Sequence, residues 1–198
     1  MRHLLSPLLV TILLGVASAA QATVTNYTTT LSGAKEAPPN TSPGTGTVAV
    51  LIDDVANTMK LNVSFSGLVG TTTTAHIHCC TPEPLSGTAS VATMLPVFSM
   101  FPLGVVTGTY NMTFDLLSAS TYNPAFISAS GGTPALAEAD LLAGLIAGTA
   151  YFNLHSTAYP AGEIRGFLVA APIPEPGHLA MWVAGLAGLA GVRRWRRR

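Results

Sequence analysis

Between residues 23 and 171 the apolar side chains alternate with polar ones instead of recurring at helical spacing. Val48, Val50 and Ile52 share one face of a strand predicted over Gly46–Ile52, and Leu61, Val63 and Phe65 share one face of Met59–Gly67. A period of two is the signature of strands with one face buried. Asp53-Asp54 and Asn57-Thr58 supply turn chemistry between them, so the pair reads as a hairpin. The same pattern predicts strands at Val24–Leu31, Thr72–His78, Thr88–Met94, Val106–Leu116, Thr149–His155 and Glu163–Val169. Eight short strands separated by Gly, Pro and Ser clusters point to a mainly all-β domain, an antiparallel immunoglobulin-like or Greek-key sandwich. One stretch departs from this. Pro134–Ala147 is rich in Ala and Leu, with Leu136, Leu142, Leu145 and Ile146 at roughly helical spacing. Thr133 suits its cap and Pro134 its first turn, Glu138 and Asp140 complement the dipole, and Gly148 ends it. A short helix across one end of the sandwich is expected.

Charge separates the ends of the chain from this body. Nine Lys+Arg balance nine Asp+Glu, and only 9% of the 198 residues are charged, against about 25% in an ordinary domain. Arg2 lies at one end, and Arg193, Arg194, Arg196, Arg197 and Arg198 crowd the other. Without them Lys35, Lys60 and Arg165 face all nine acids, so the body is acidic and carries no footprint for nucleic acid.

The ends read as addresses. Residues 1–22 have the layout of a signal peptide: Arg2, an apolar run over Leu4–Val16, then small residues, with cleavage favoured after Ala22. Residues 172–198 join Pro174-Glu175-Pro176 to an apolar segment at 179–192, expected to form a transmembrane helix, and an arginine-rich tail. This triplet resembles the PEP-CTERM sorting signal of Gram-negative bacteria. The resemblance implies transient residence in the inner membrane, recognition and cleavage by an exosortase, and delivery to the outer surface or extracellular matrix.

Three histidines fall in the body. His76 and His78 stand two apart on one predicted strand, so they share a face about 6.5–7 Å apart, and His155 lies on another. Imidazoles at that spacing suit copper or zinc, with His155 as the third ligand. The bland alternative is that the rings merely hydrogen-bond backbone or nearby threonines. Cys79 and Cys80 follow at once. Three readings stand for them: a soft metal ligand, an intermolecular bridge, or a vicinal disulfide across Cα atoms closer than ordinary bridges prefer. The last is favoured, because export leads to an oxidising compartment. Glu163 and Arg165 alternate about Ile164 and are expected to form a structural ion pair. No nucleophile elbow, phosphate loop or zinc-protease helix is present, so no catalytic residue is assigned.

The segments Leu31–Pro39, Ala75–His78, Tyr151–His155 and Ala161–Gly166 resemble the successive motifs of the CHRD domain, first described in chordin. The resemblance spans about Val24 to Val169 and implies a β-rich, immunoglobulin-like architecture. The antagonism of growth factors by animal chordin does not carry over to a bacterial chain. The paired histidines on a sandwich are also similar to those of copper–zinc superoxide dismutase. With only three body histidines, a bridged copper–zinc pair is not expected, while a lone copper site stays open. The leading expectation is a non-enzymatic surface or matrix module that binds an exopolysaccharide or surface protein. A small copper- or zinc-binding protein using His76, His78 and His155 is the alternative, and a plain structural spacer is a third.

Overall fold

The computed structural model describes residues 24–171. The expected signal peptide at 1–22, and the sorting motif with its apolar helix at 172–198, lie outside the described residues. Among the described residues no helix is long and apolar enough to cross a membrane.

Among the described residues eight strands form, filling seven of the eight places where alternation predicts one: β1 (Val24–Ser32), β2 (Thr45–Asp53), β3 (Thr58–Ser66), β4 (Thr72–His78), β5 (Gly108–Asp115), β6 (Tyr151–Ser156), β7 (Ile164–Phe167) and the short β8 (Val169–Ala170). β7 and β8 divide the single strand expected over Glu163–Val169. The pairing is antiparallel throughout, in the order β4-β6-β7-β1-β2-β3-β5, with β8 also against β1. The strands form one continuous sheet, curled round the core into the sandwich-like body expected from the sequence. Phe98 reports the curl: its ring lies 6.3 Å from Phe152 of β6 and 5.4 Å from Phe114 of β5, which stand near opposite ends of the strand order. Tyr27, Val48, Val50, Leu61, Val63, Phe65, Ile77 and Leu154 are among the buried alternate residues that line this core.

Thr88–Met94 does not form the expected strand. Its backbone groups are divided between two partners. Cys79 N–H donates to Ser90 and Ala92 N–H to Ile77, whereas Met94 N–H donates to Thr121, and Asn123 N–H donates to Ala92. Only isolated bridges result, Val91 with His78 and Thr93 with Tyr122.

Two helices follow β5. The first, α1 (Pro124–Ala129), was not expected; Asn123 caps it by accepting from Ala125 N–H. The second, α2 (Pro134–Ala147), has the bounds the sequence predicts. Thr133 Oγ1 accepts from Leu136 N–H, and Gly148 closes the helix in the left-handed region at φ 69°. The inward face differs from the expected one. It is Ala137, Glu138, Leu141, Gly144 and Leu145, while Leu136 and Ile146 are exposed. Small residues at 137 and 144 let the helix approach the sheet end closely. No acidic residue lies in the first turn, so Glu138 and Asp140 do not serve the dipole as expected. Glu138 turns inward, where burial and, after it, the Asp115 charge hold its carboxyl above the usual range.

Candidate metal centre

Strand register decides what meets what. His76 of β4 stands opposite Asn153 of β6, His78 opposite Tyr151, and Thr74 opposite His155. In an antiparallel ladder opposed residues share a face. The sheet therefore presents Thr74, His76, His78, Tyr151, Asn153 and His155 on the side away from Ala75, Ile77, Phe152 and Leu154. Arg165 and Phe167 of β7 extend this polar side, since they pair with Asn153 and Tyr151.

The three histidine rings converge. Their centroids are 6.0 Å apart for His76 and His78, 5.8 Å for His76 and His155, and 6.2 Å for His78 and His155. One nitrogen from each lies within 4.8 Å of the others. Three nitrogens held trigonally at about 2.0 Å from an ion stand about 3.5 Å apart, so a contraction of about an ångström closes the site. His76 and His78 are buried and His155 is partly buried.

Each ring is anchored through one nitrogen by a main-chain carbonyl. His76 Nε2 is 2.8 Å from Pro96 O, His78 Nδ1 is 2.9 Å from Ala89 O, and His155 Nδ1 is 3.0 Å from Pro160 O. A carbonyl only accepts, so these nitrogens carry the protons. The other nitrogen of each ring, His76 Nδ1, His78 Nε2 and His155 Nε2, is buried without a hydrogen-bond partner. Burial pushes all three rings below the ordinary histidine range, His78 to about 4. At neutral pH the rings are therefore uncharged, and each unpartnered nitrogen is a lone pair. A metal-binding histidine has this arrangement: the distal N–H is fixed by a carbonyl and the lone pair is aimed inward.

The surroundings were only partly foreseen. Tyr151 stacks on His78 at 4.7 Å, its hydroxyl bonds to Ala89 O, and the Arg165 guanidinium carbon lies 4.8 Å over its ring. Arg165 also donates to Lys35 O, and its Nε lies 3.9 Å from Glu36 Oε2. Glu163 is not its partner, contrary to expectation. Glu163 sits just before β7, accepting from Ser42 Oγ at 2.6 Å, Val69 N–H at 2.5 Å and Gly70 N–H at 3.3 Å. Burial raises its pKa, but hydrogen bonds from Ser156, Ser42 and these amides outweigh it, and the carboxyl ends below its usual range. Glu36 goes the other way. Burial raises it to about 7, against the opposing pull of Arg165. Tyr151, Asn153 and Glu36 were missed as neighbours of the site, although Tyr151-x-Asn153-x-His155 carries its own period-two signal.

Cys79 and Cys80 lie at the end of β4 but are bonded to each other, across Cα atoms 3.1 Å apart joined by a cis peptide. Their sulfurs face α2: a Cβ on Gly144 would come within 2.2 Å of Cys79 Sγ and 2.6 Å of Cys80 Sγ. Neither cysteine belongs to the cluster of candidate ligands, which holds the three histidines alone.

The motifs noted in the sequence now have structural places: Leu31–Pro39 brings Glu36, Ala75–His78 two histidines, Tyr151–His155 the third, and Ala161–Gly166 Arg165. The family model described as the CHRD domain matches residues 27–168, most of the chain and nearly all that the structure describes. The chain belongs to the CHRD family. CHRD domains are non-enzymatic modules typical of extracellular and secreted proteins, and no catalytic family is indicated. No curated protein and no solved structure matches this CHRD chain.

Proposed function

We propose that this CHRD domain is an exported, non-enzymatic module that holds a single copper or zinc ion through His76, His78 and His155. One observation carries the reading. Three histidine rings converge, and each has one nitrogen spent on a main-chain carbonyl and the other buried without a hydrogen-bond partner. An unpartnered buried polar atom costs about 1–3 kcal/mol, so three in one place are accounted for economically by a ligand they share. The apolar runs at 4–16 and 179–192, each flanked by arginine, support a destination outside the cytoplasm. In this reading the signal peptide starts export, the Pro174-Glu175-Pro176 segment is handed to an exosortase in the inner membrane, and the domain reaches the surface or matrix of a Gram-negative bacterium.

A second role on the same domain is favoured by a groove of about 1070 Å³ on the outer face of β1, β2 and β3, which Arg165 and Phe167 also line. Thr28, Thr30, Thr47, Asn62 and Ser64 line it beside Lys35 and the apolar Leu85 and Val169, a mix of hydrogen-bonding and apolar surface suited to a matrix polysaccharide. The metal reading is tested by metal content. The full chain, exported and purified without a histidine tag, is expected to keep about one equivalent of copper or zinc through desalting, and His155→Ala to keep none. Equal metal in both proteins, or none in either, overturns the assignment.

A further inference from the structure

Resting on that reading, we infer that the centre selects copper in its monovalent state over zinc and divalent copper. Three features of the site point the same way.

The donor set is neutral. The cluster offers three imidazoles and no carboxylate, and the adjacent sulfurs are spent on each other. The ion therefore brings its whole charge into a buried place. The cost of burying a charge grows as its square, so a divalent ion meets about four times the self-energy of a monovalent one.

A fixed positive charge stands close by. Arg165 lies over Tyr151, which stacks on His78, and its side chain is held in place by Lys35 O and Glu36. The repulsion between this guanidinium and the bound ion doubles from a monovalent to a divalent ion. Glu36 offsets Arg165 only in part, because its carboxyl takes up a proton near neutral pH.

The third feature is coordination number. Three imidazole nitrogens complete a trigonal shell for monovalent copper, whereas zinc normally takes four ligands and divalent copper a tetragonal set. A fourth ligand has to come from outside the cluster. Two clefts among the described residues, of about 1070 and 790 Å³, are lined by none of the three histidines.

The test is a competition on the metal-free full chain under anaerobic conditions. Monovalent copper is offered as its complex with bicinchoninate, with ascorbate present to keep it reduced, and zinc or divalent copper is offered separately. The expected result is one equivalent of monovalent copper, undisplaced by a hundredfold excess of zinc and removed by His155→Ala. Arg165→Gln is expected to raise zinc affinity at least tenfold relative to that for monovalent copper, and Arg165→Lys to restore the native ratio. If zinc displaces monovalent copper at equal concentration, or divalent copper offered without ascorbate binds as tightly, the selectivity is wrong and the three-histidine site stands. A native ratio in Arg165→Gln removes the electrostatic argument. If no metal binds in any arm, both the selectivity and the site fall.

Discussion

The two faces of the β4–β6 pair are both covered, and they are satisfied by different means. On the core side Ala75, Ile77, Phe152 and Leu154 are wholly buried and need only close packing. On the other side His76, His78, Tyr151 and Asn153 are nearly as buried, but each polar atom there needs a named partner. The main-chain carbonyls of Pro96, Ala89 and Pro160 supply one per histidine ring and leave one nitrogen of each ring without. A packed face tolerates any good fit. A buried polar face records in its unpaired atoms what else it is built to hold.

Substitutions on the two faces are expected to separate. Leu154→Ala, on the core side, is expected to cost about 2–5 kcal/mol of stability in chemical denaturation. His155→Ala, one residue away and facing the other way, is expected to change the stability of the metal-free protein far less and to abolish metal binding. Equal stability losses would erase the contrast between the faces.

Acid tests the polar face through His78. The unfolded chain protonates His78 near its ordinary value of 6.5, whereas the folded ring resists down to about 4. The unfolded state thus binds more protons in that window, and stability falls by about 1.4 kcal/mol per pH unit for this group as pH drops from 6.5 to 4. Replacing His78 with Gln is expected to flatten the slope, measured as the denaturation midpoint against pH.

Gly144→Ala probes the place where α2 meets the disulfide. Its new Cβ would overlap both sulfurs, and overpacking of this kind costs about 1–3 kcal/mol. Unchanged thermal stability in this variant would mean that α2 does not rest on the cysteines.

Glu36→Gln is expected to have the smallest net effect, because Arg165 loses its anionic partner as the buried charge is removed. Folded Glu36 keeps its proton up to about pH 7, against 4.5 as its ordinary value. Its contribution is fully present below 4.5 and is lost as pH rises to 7. The variant is therefore expected to gain on the parent as pH rises from 4.5 to about 7, and a constant difference across that range would contradict the shift.

Legibility in the sequence followed the same division. Alternation located the strands that keep the same partner along their whole length on each edge, such as β2 and β3, and the caps Thr133 and Gly148 fixed both ends of α2. Thr88–Met94 alternates as well as they do, but its hydrogen bonds are shared between two neighbours, which no local pattern records. The faces of His76, His78 and His155 were readable from period two. Their convergence was not, because it depends on the register that sets Thr74 against His155. Arg165 shows the limit most plainly. Spacing offered it Glu163, whereas folding brought Glu36 from the far end of the domain and turned Glu163 to the amides of Val69 and Gly70.

The most direct test is a long-range ¹H–¹⁵N NMR spectrum of the histidine side chains in the metal-free chain, repeated after one equivalent of diamagnetic metal. The account predicts three neutral rings with fixed tautomers, protonated at Nε2 of His76 and at Nδ1 of His78 and His155, and a joint shift of the three remaining nitrogens on metal addition. Rings that exchange between tautomers, or nitrogens that ignore the metal, would contradict it.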